Sequence, residues 1–264
     1  MNATADSQRA SPHSDEPLVK VERDGAITRL TLNRASKYNA LSRAMIAALK
    51  EALDALAQAD GVRVIVIAAE GRAFSAGHDL TEMGPDAGEA ELRQLFAACS
   101  ELMLTIQHQP QPVIARVQGV ATAAGCQLVA MCDLAVASTD ARFAVSGINL
   151  GLFCATPAVA LSRNVLQKPA LEMLLTGDFI DAASARERGL VNRVVPAEAL
   201  DAEIGKLATA IAAKSPAAIA LGKRLFYQQQ ELGIEAAYAR AGAVMACNAT
   251  QDDARQGIAK FTKR

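Results

Sequence analysis

The sequence lacks the features that mark several common functional classes. Its 264 residues include 27 Lys and Arg against 28 Asp and Glu, so no charge excess favours nucleic acid or an acidic membrane surface. None of its three histidines has a partner at the spacing of metal ligands, so no metal site is predicted. No G-x-G-x-x-G or Walker loop occurs, so neither NAD nor a nucleoside triphosphate is indicated as a cofactor.

The sequence also gives no sign of export, membrane insertion or disulfide bonding. Five cysteines without a C-x-x-C pair favour free thiols in a reducing compartment. No window approaches the roughly 18 uninterrupted apolar residues of a membrane helix. Residues 1–17 are polar and fit neither a signal nor a transit peptide, so we interpret them as a disordered tail. These absences predict a cytoplasmic protein with no membrane partner, no nucleic acid partner and no permanently bound cofactor.

What the chain does contain is an alternation of short strands and helices. Its 51% of apolar residues are enough for a large core. Val62–Ala69 is a continuous apolar, β-branched run, which is typical of a strand buried on both faces. Strands are also predicted at 18–23, 26–32, 113–117, 134–138 and 190–195, and helices at 42–58, 88–107, 124–132 and over most of the chain after residue 156. This order predicts an α/β core at 18–195 and a helical C-terminal subdomain at 196–264.

Two turns of small residues are candidates for the functional site. Phe74–Leu80 directly follows a buried strand, and Ala123–Gly125 lies where a helix should begin. Small side chains let a ligand approach backbone N–H groups, which can stabilise an oxyanion at a helix N-terminus. The same residues also permit tight packing of a helix on a sheet. The residue pattern alone leaves both interpretations open.

These two turns resemble known family motifs. Phe74–Leu80 resembles the F-[SA]-A-G-x-D-[LI] segment of the crotonase (enoyl-CoA hydratase/isomerase) superfamily, and Gly119–Asp133 resembles its N-G-x-A-x-G-G-G segment. The resemblance continues through Leu174–Asp178, Ala182–Val195 and the final helix, so it covers nearly all of the chain from Leu18 onward. It implies a crotonase-type ββα spiral core, an acyl-CoA ligand, and a homotrimer or a dimer of trimers.

The resemblance also implies roles for individual residues. The backbone N–H groups of His78 and Ala124 correspond to the oxyanion donors of the family. Ala124 stands where the family has glycine, but an alanine keeps its N–H. The residues beside these donors are implied to contact the substrate: Ala76, Asp79, Leu80 and Gly125.

The two acids of the family's hydratases are missing. Gln127 and Gly147 stand where those hydratases carry glutamate, so ordinary hydratase activity is expected to be weak or absent. These replacements resemble the enoyl-CoA hydratase domain-containing branch of the superfamily. The ring of His78 has a suitable intrinsic pKa for a substitute base. The alternative is a ring that packs on the ligand or caps its loop.

The remaining candidates surround the ligand. Four residues on the stretch after residue 145 should wall the acyl pocket: Ser146, Asn149, Cys154 and Thr156. The segment 33–41 resembles the family's nucleotide-pocket motif, which makes Arg34 and Lys37 candidates for binding coenzyme A. Lys260 and Phe261 resemble the basic-aromatic terminal helix that closes over the adenine. The chain is therefore interpreted as a crotonase-type enzyme on acyl-CoA, or as a non-catalytic acyl-CoA-binding or regulatory protein.

Overall fold

The computed structural model describes residues 16–262, so nearly all of the predicted tail lies outside the described residues. The described chain contains ten strands and ten α-helices. The strands are β1 (Val19–Asp24), β2 (Ile27–Leu32), β3 (Val64–Ala69), β4 (Ala73–Ser75), β5 (Val113–Val117), β6 (Val120–Thr122), β7 (Leu134–Ser138), β8 (Arg142–Ala144), β9 (Ile180–Asp181) and β10 (Arg193–Val195). The helices are α1 (Arg43–Ala57), α2 (Glu89–His108), α3 (Ala124–Met131), α4 (Ala155–Asn164), α5 (Gln167–Thr176), α6 (Ala182–Glu187), α7 (Leu200–Ala212), α8 (Pro216–Gln229), α9 (Ile234–Ala249) and α10 (Asp252–Thr262).

The larger sheet has six strands in the order β1-β2-β3-β5-β7-β10. Only β1 and β2 pair antiparallel, and all other pairs are parallel. Every residue of β3 is buried, which confirms the prediction of a strand covered on both faces. Its alternate side chains divide between two apolar clusters. Ile65 and Ile67 pack in the cluster that includes α1 and α2, while Val64 and Val66 pack with α7.

A second sheet of four short strands, in the order β4-β6-β8-β9, was not predicted from the sequence. Its strands contain two or three residues each, and runs this short carry no readable periodicity. In chain order, β3 is followed by β4, β5 by β6, and β7 by β8, each pair leading into a helix. The predicted ββα spiral is thereby confirmed. The turns at the ends of the short strands carry the candidate site.

The C-terminal helices pack in two different ways. Helix α7 lies within the predicted C-terminal subdomain, yet it buries Leu200, Ile204 and Ala208 against the large sheet. Helices α8, α9 and α10 bury almost no side chains in the described chain. Helix α8 is fixed instead by Lys223, whose ammonium lies 2.6 Å from an Asp133 carboxylate oxygen.

Among the described helices, no single one is long and apolar enough to cross a membrane. One pair meets the length and composition requirement only jointly, Ala197–Ala212 with Pro216–Gln229, and it is bent by 102°.

Candidate active site

A cavity of about 250 Å³ opens where the short strands meet the N-termini of α3 and α4. It is lined by the turn after β4, by the first residues of α3, by Met83 and Phe96, and by the segment 146–157. Five of the predicted site residues line it: Ala76, His78, Leu80, Ala124 and Gly147. Larger hollows on the surface contain none of these residues, so this cavity is the one that joins the two predicted turns.

The turn after β4 is held in place by its backbone. Gly77 has φ +88°, a conformation that suits glycine, and its carbonyl accepts a hydrogen bond of 2.7 Å from the Leu41 N–H. A Cβ atom on Gly77 would stand 2.8 Å from the Ala123 Cβ and 3.1 Å from the Ala124 nitrogen. The turn therefore lies directly against the start of α3, and the peptide group that joins Gly77 to His78 is next to the Ala124 N–H.

The start of α3 depends on small residues for the same reason. Ala123 precedes the helix with φ 50° and ψ −121°, a region that alanine rarely occupies. Gly125 is buried, and a Cβ atom there would overlap the carbonyl oxygen of Ser75 in β4. Gly125 therefore serves the close approach of helix and strand, and it does not line the cavity.

Two backbone N–H groups at this junction have no acceptor. Within residues 16–262, neither the His78 nor the Ala124 N–H donates a hydrogen bond to a protein group. Ala124 is the first residue of α3, so its N–H points along the positive end of the helix dipole. Buried N–H groups in proteins are almost always paired. These two are therefore available to a ligand oxygen.

The position of Gly147 is occupied by neighbouring backbone and sulfur. Gly147 lines the cavity, but a Cβ atom on it would stand 2.6 Å from the Leu152 carbonyl oxygen and 2.7 Å from Cys154 Sγ. The Leu152 N–H donates to the Gly147 carbonyl at 3.0 Å, which fixes the segment in this place. A side chain at residue 147 would require this segment to move.

Gln127 lies on α3 and is 4% exposed, but it is not among the lining residues. Its Oε1 atom is enclosed and accepts no hydrogen bond from the described part of the chain. It follows Ala123 and Ala124 by one helical turn, and side chains in a helix lean toward its N-terminus.

The titratable side chains at the cavity are those of His78 and Cys154. Its described lining includes no Asp, Glu, Lys or Arg. Burial lowers the pKa of His78, so the ring is neutral near pH 7, and its edge packs on Phe96 with ring centroids 5.4 Å apart. The Nε2 atom of His78 is enclosed, with no hydrogen-bond partner in the described chain. Burial also raises the pKa of the Cys154 thiol, which stays protonated.

Three of the four predicted wall residues line the cavity: Ser146, Cys154 and Thr156. The Ser146 hydroxyl lies 2.9 Å from that of Thr122, so a hydrogen bond links the two. Asn149 is turned away, and its amide donates to the Gly177 carbonyl at 3.5 Å. The apolar residues Leu150, Leu152 and Phe153 also line the cavity and were not selected from the sequence.

The predicted coenzyme A cations lie outside the cavity. Arg34 forms an ion pair of 2.9 Å with Asp79, so its charge is already engaged. The pKa of Asp79 is lowered, chiefly by the hydrogen bond from the Thr81 hydroxyl and also by Arg34. Lys37 is exposed and forms no ion pair with a described residue.

The terminal candidates, Lys260 and Phe261, lie on α10, which packs on α9. Phe261 is 80% exposed. The described chain does not bring either residue to the cavity. A cation–aromatic pair that was not predicted from the sequence is linked directly to the cavity lining. The Arg72 guanidinium stands 4.8 Å above the Tyr38 ring, and the Tyr38 carbonyl accepts a hydrogen bond of 3.0 Å from the N–H of Ala76, which lines the cavity. The sequence could not reveal this pair, because the cation and the ring come together only in the folded chain.

Comparison with known proteins gives a consistent result. Residues 22–264 match the family model described as enoyl-CoA hydratase/isomerase. The rat protein named enoyl-CoA hydratase domain-containing protein 3, mitochondrial, is 44% identical over 255 residues, which cover 97% of this chain and 85% of the rat protein.

Two solved structures extend the comparison. The crystal structure of an enoyl-CoA hydratase from Mycobacterium smegmatis has 57% identity and a TM-score of 0.92, and the match covers 94% of this chain and 97% of that one. The crystal structure of human enoyl-CoA hydratase domain-containing protein 3 has 42% identity and a TM-score of 0.91, over 93% of this chain and 97% of the human one.

Proposed function

The chain belongs to the enoyl-CoA hydratase/isomerase family, and we propose that its cavity binds an acyl-CoA thioester and stabilises the enolate of that thioester. The observation that carries the proposal is the pair of unengaged N–H groups of His78 and Ala124, two residues that line the same cavity. An enolate oxygen placed between them would accept two hydrogen bonds.

Electrostatics favour a negative oxygen at this point. The N-terminus of α3 carries the positive end of the helix dipole. The lining holds no acidic side chain that would oppose the developing charge. Preorganised donors in an enclosed site stabilise an oxyanion more than water does, because they need no reorganisation.

Ordinary hydration of an enoyl thioester is expected to be slow. It requires a group that takes a proton from water and a group that protonates the α-carbon, each worth about 10²–10⁴ in rate. The resemblance assigns these roles to the positions of Gln127 and Gly147, and neither residue can perform them. Decarboxylation, isomerisation and thioester hydrolysis are the other candidate reactions. Decarboxylation depends least on the lining, because the departing CO₂ leaves an enolate, whereas isomerisation needs a group that carries a proton and hydrolysis needs an activated water.

A second function, non-catalytic acyl-CoA binding, is favoured by the titratable groups. The two such groups at the cavity are a neutral His78 ring without an orienting partner and a protonated Cys154 thiol. The protonated thiol cannot act as a base, and no described group orients the His78 ring for that role. Against this, the Mycobacterium smegmatis protein is described as an enoyl-CoA hydratase, so hydration is the first reaction to measure.

Assembly and location stay predictions. We propose a homotrimer or a dimer of trimers, in which the exposed apolar residues of α8–α10 are covered. The proposed location is the cytoplasm, although the rat relative is described as mitochondrial. Sedimentation of the purified protein would determine the assembly.

The oxyanion proposal is tested by comparing the binding of butyryl-CoA with that of S-butyl-CoA, a thioether of the same length without the carbonyl. Two hydrogen bonds of about 1 kcal/mol each predict roughly 30-fold tighter binding of the thioester by calorimetry. Equal affinities would refute a role for the two N–H groups. If neither compound binds, the acyl-CoA proposal itself fails.

Hydration is tested by the loss of enoyl-thioester absorbance with crotonyl-CoA. The wild type should turn over far more slowly than an ordinary hydratase, and Gln127→Glu should raise the rate. Gln127→Leu is the control, because it places a side chain of similar size at the same buried position without adding an acid. Wild-type turnover at ordinary hydratase rates would show that the expected weakness is wrong and that another group serves as base.

A further inference from the structure

The mouth of the cavity is unusually apolar. Four large apolar residues that line it are also strongly exposed: Leu80 at 58%, Leu150 at 68%, Leu152 at 46% and Phe153 at 43%. Single exposed apolar residues are common on protein surfaces, but a contiguous group around one opening marks a binding surface. We call these four residues the apolar rim.

Three of the rim residues depend on Gly147 for their place. The segment 150–153 folds back so that the Leu152 carbonyl fills the space where a Cβ of residue 147 would stand. The hydrogen bond from the Leu152 N–H to the Gly147 carbonyl and the left-handed conformation of Gly151, φ +75°, hold this fold-back. The residue that the resemblance marks as a missing acid thus makes room for an apolar wall.

We propose that the apolar rim binds the distal part of the ligand's acyl chain, so that the substrate class is thioesters of long acyl groups with no charge at their distal end. This inference rests on the proposed function and adds to it the nature of the acyl group. The rim is continuous with the cavity that contains the His78 and Ala124 N–H groups. The cavity has a volume of about 250 Å³. If the thioester carbonyl lies at those N–H groups, an acyl chain too long for the cavity passes over the rim.

The absence of charged side chains from the described lining narrows the class of acyl groups further. None of the described lining residues is Asp, Glu, Lys or Arg, so a carboxylate at the end of the acyl chain would lose its hydration without gaining a partner. An alkyl chain transferred to the same surface loses nothing and gains about fourfold in affinity for each buried methylene.

The experiment measures the dissociation constants of acetyl-, butyryl-, hexanoyl-, octanoyl- and decanoyl-CoA, with adipyl-CoA for comparison with hexanoyl-CoA. The wild type should bind about fourfold more tightly for each methylene that reaches the rim. It should bind adipyl-CoA at least tenfold more weakly than hexanoyl-CoA.

The variant Leu150→Ser/Leu152→Ser removes two exposed side chains, so its fold should be kept, and its unfolding temperature checks this. It should flatten the dependence of affinity on chain length beyond butyryl-CoA. Leu166→Ser is the matched control, because Leu166 is 78% exposed but lies away from the cavity.

Three results would overturn the inference: affinities that do not rise with chain length, a length dependence that survives in the double variant, or a double variant that changes only the oligomeric mass. The last result would assign the rim to a contact between subunits. Each of them leaves acyl-CoA binding itself intact. Failure of the proposed function would look different, since then acetyl-CoA and the long thioesters would all fail to bind.

Discussion

Replacing Ala123 with glycine should stabilise the protein, whereas the same change at Ala124 should destabilise it. Ala123 has φ 50° and ψ −121°, and a non-glycine residue in such a region costs about 1–3 kcal/mol. Glycine removes that strain but loses about 0.5–1 kcal/mol in backbone entropy and part of one methyl contact. The net gain is about 1 kcal/mol in the free energy of unfolding.

Ala124 is the matched control, because it is helical and only 1% exposed. A glycine there relieves no strain, gives up a buried methyl group and adds backbone entropy to the unfolded chain, for a loss of about 1–1.5 kcal/mol. The chain has no tryptophan, so urea unfolding is best followed by far-UV circular dichroism at one protein concentration. Equal destabilisation by both variants would show that Ala123 is not strained and would refute the reasoning.

Three further changes test how the elements around the site are held, each by urea unfolding against the wild type. Lys223→Met leaves the buried Asp133 carboxylate without its counter-charge and should cost roughly 3–5 kcal/mol, and adding Asp133→Asn should recover part of the loss. Gly125→Ala drives a methyl group into the Ser75 carbonyl and should cost about 1–3 kcal/mol; no loss would mean that α3 can move from the strand. Two arginines lower the pKa of Asp201 from 3.8 to about 2. Because Asp201 is half exposed, Asp201→Asn should cost only about 1 kcal/mol, fully above pH 4 and vanishing as the pH falls to about 2, and a pH-independent loss would contradict this origin.

The predictions from sequence succeeded where one continuous pattern specifies one element. Strands β5 and β7 have the predicted bounds, because each is an apolar run with turn residues on both sides. Helix α1 begins where it was predicted, and the Ser42 hydroxyl caps it by accepting a hydrogen bond from the Met45 N–H. The second sheet was missed because its strands are too short for a pattern.

The missed parts of the site depend on contacts between distant segments. Lys223 and Asp133 each look like an ordinary surface charge in the sequence, and only the packing of α8 on the core makes them a buried pair. Arg34 was selected as a candidate for binding coenzyme A, but the fold places Asp79 beside it. The apolar rim consists of residues that, taken one at a time, indicate nothing more than an exposed loop.

By the family resemblance, Gln127 and Gly147 stand in place of the hydratase glutamates, and the two positions differ in how easily an acid could be introduced. Gln127 and glutamate have nearly the same shape, so Gln127→Glu changes charge and leaves packing almost unaltered. Gly147 is different, because the Leu152 carbonyl and the Cys154 sulfur already occupy the space beyond its Cα. An acid at residue 147 would displace the segment that carries the apolar rim. A second carboxylate and the apolar wall therefore compete for one space, and in this protein the wall occupies it. Under the proposed function, the chemistry left to the cavity is that of its two N–H groups acting on an acyl chain bound by apolar contact.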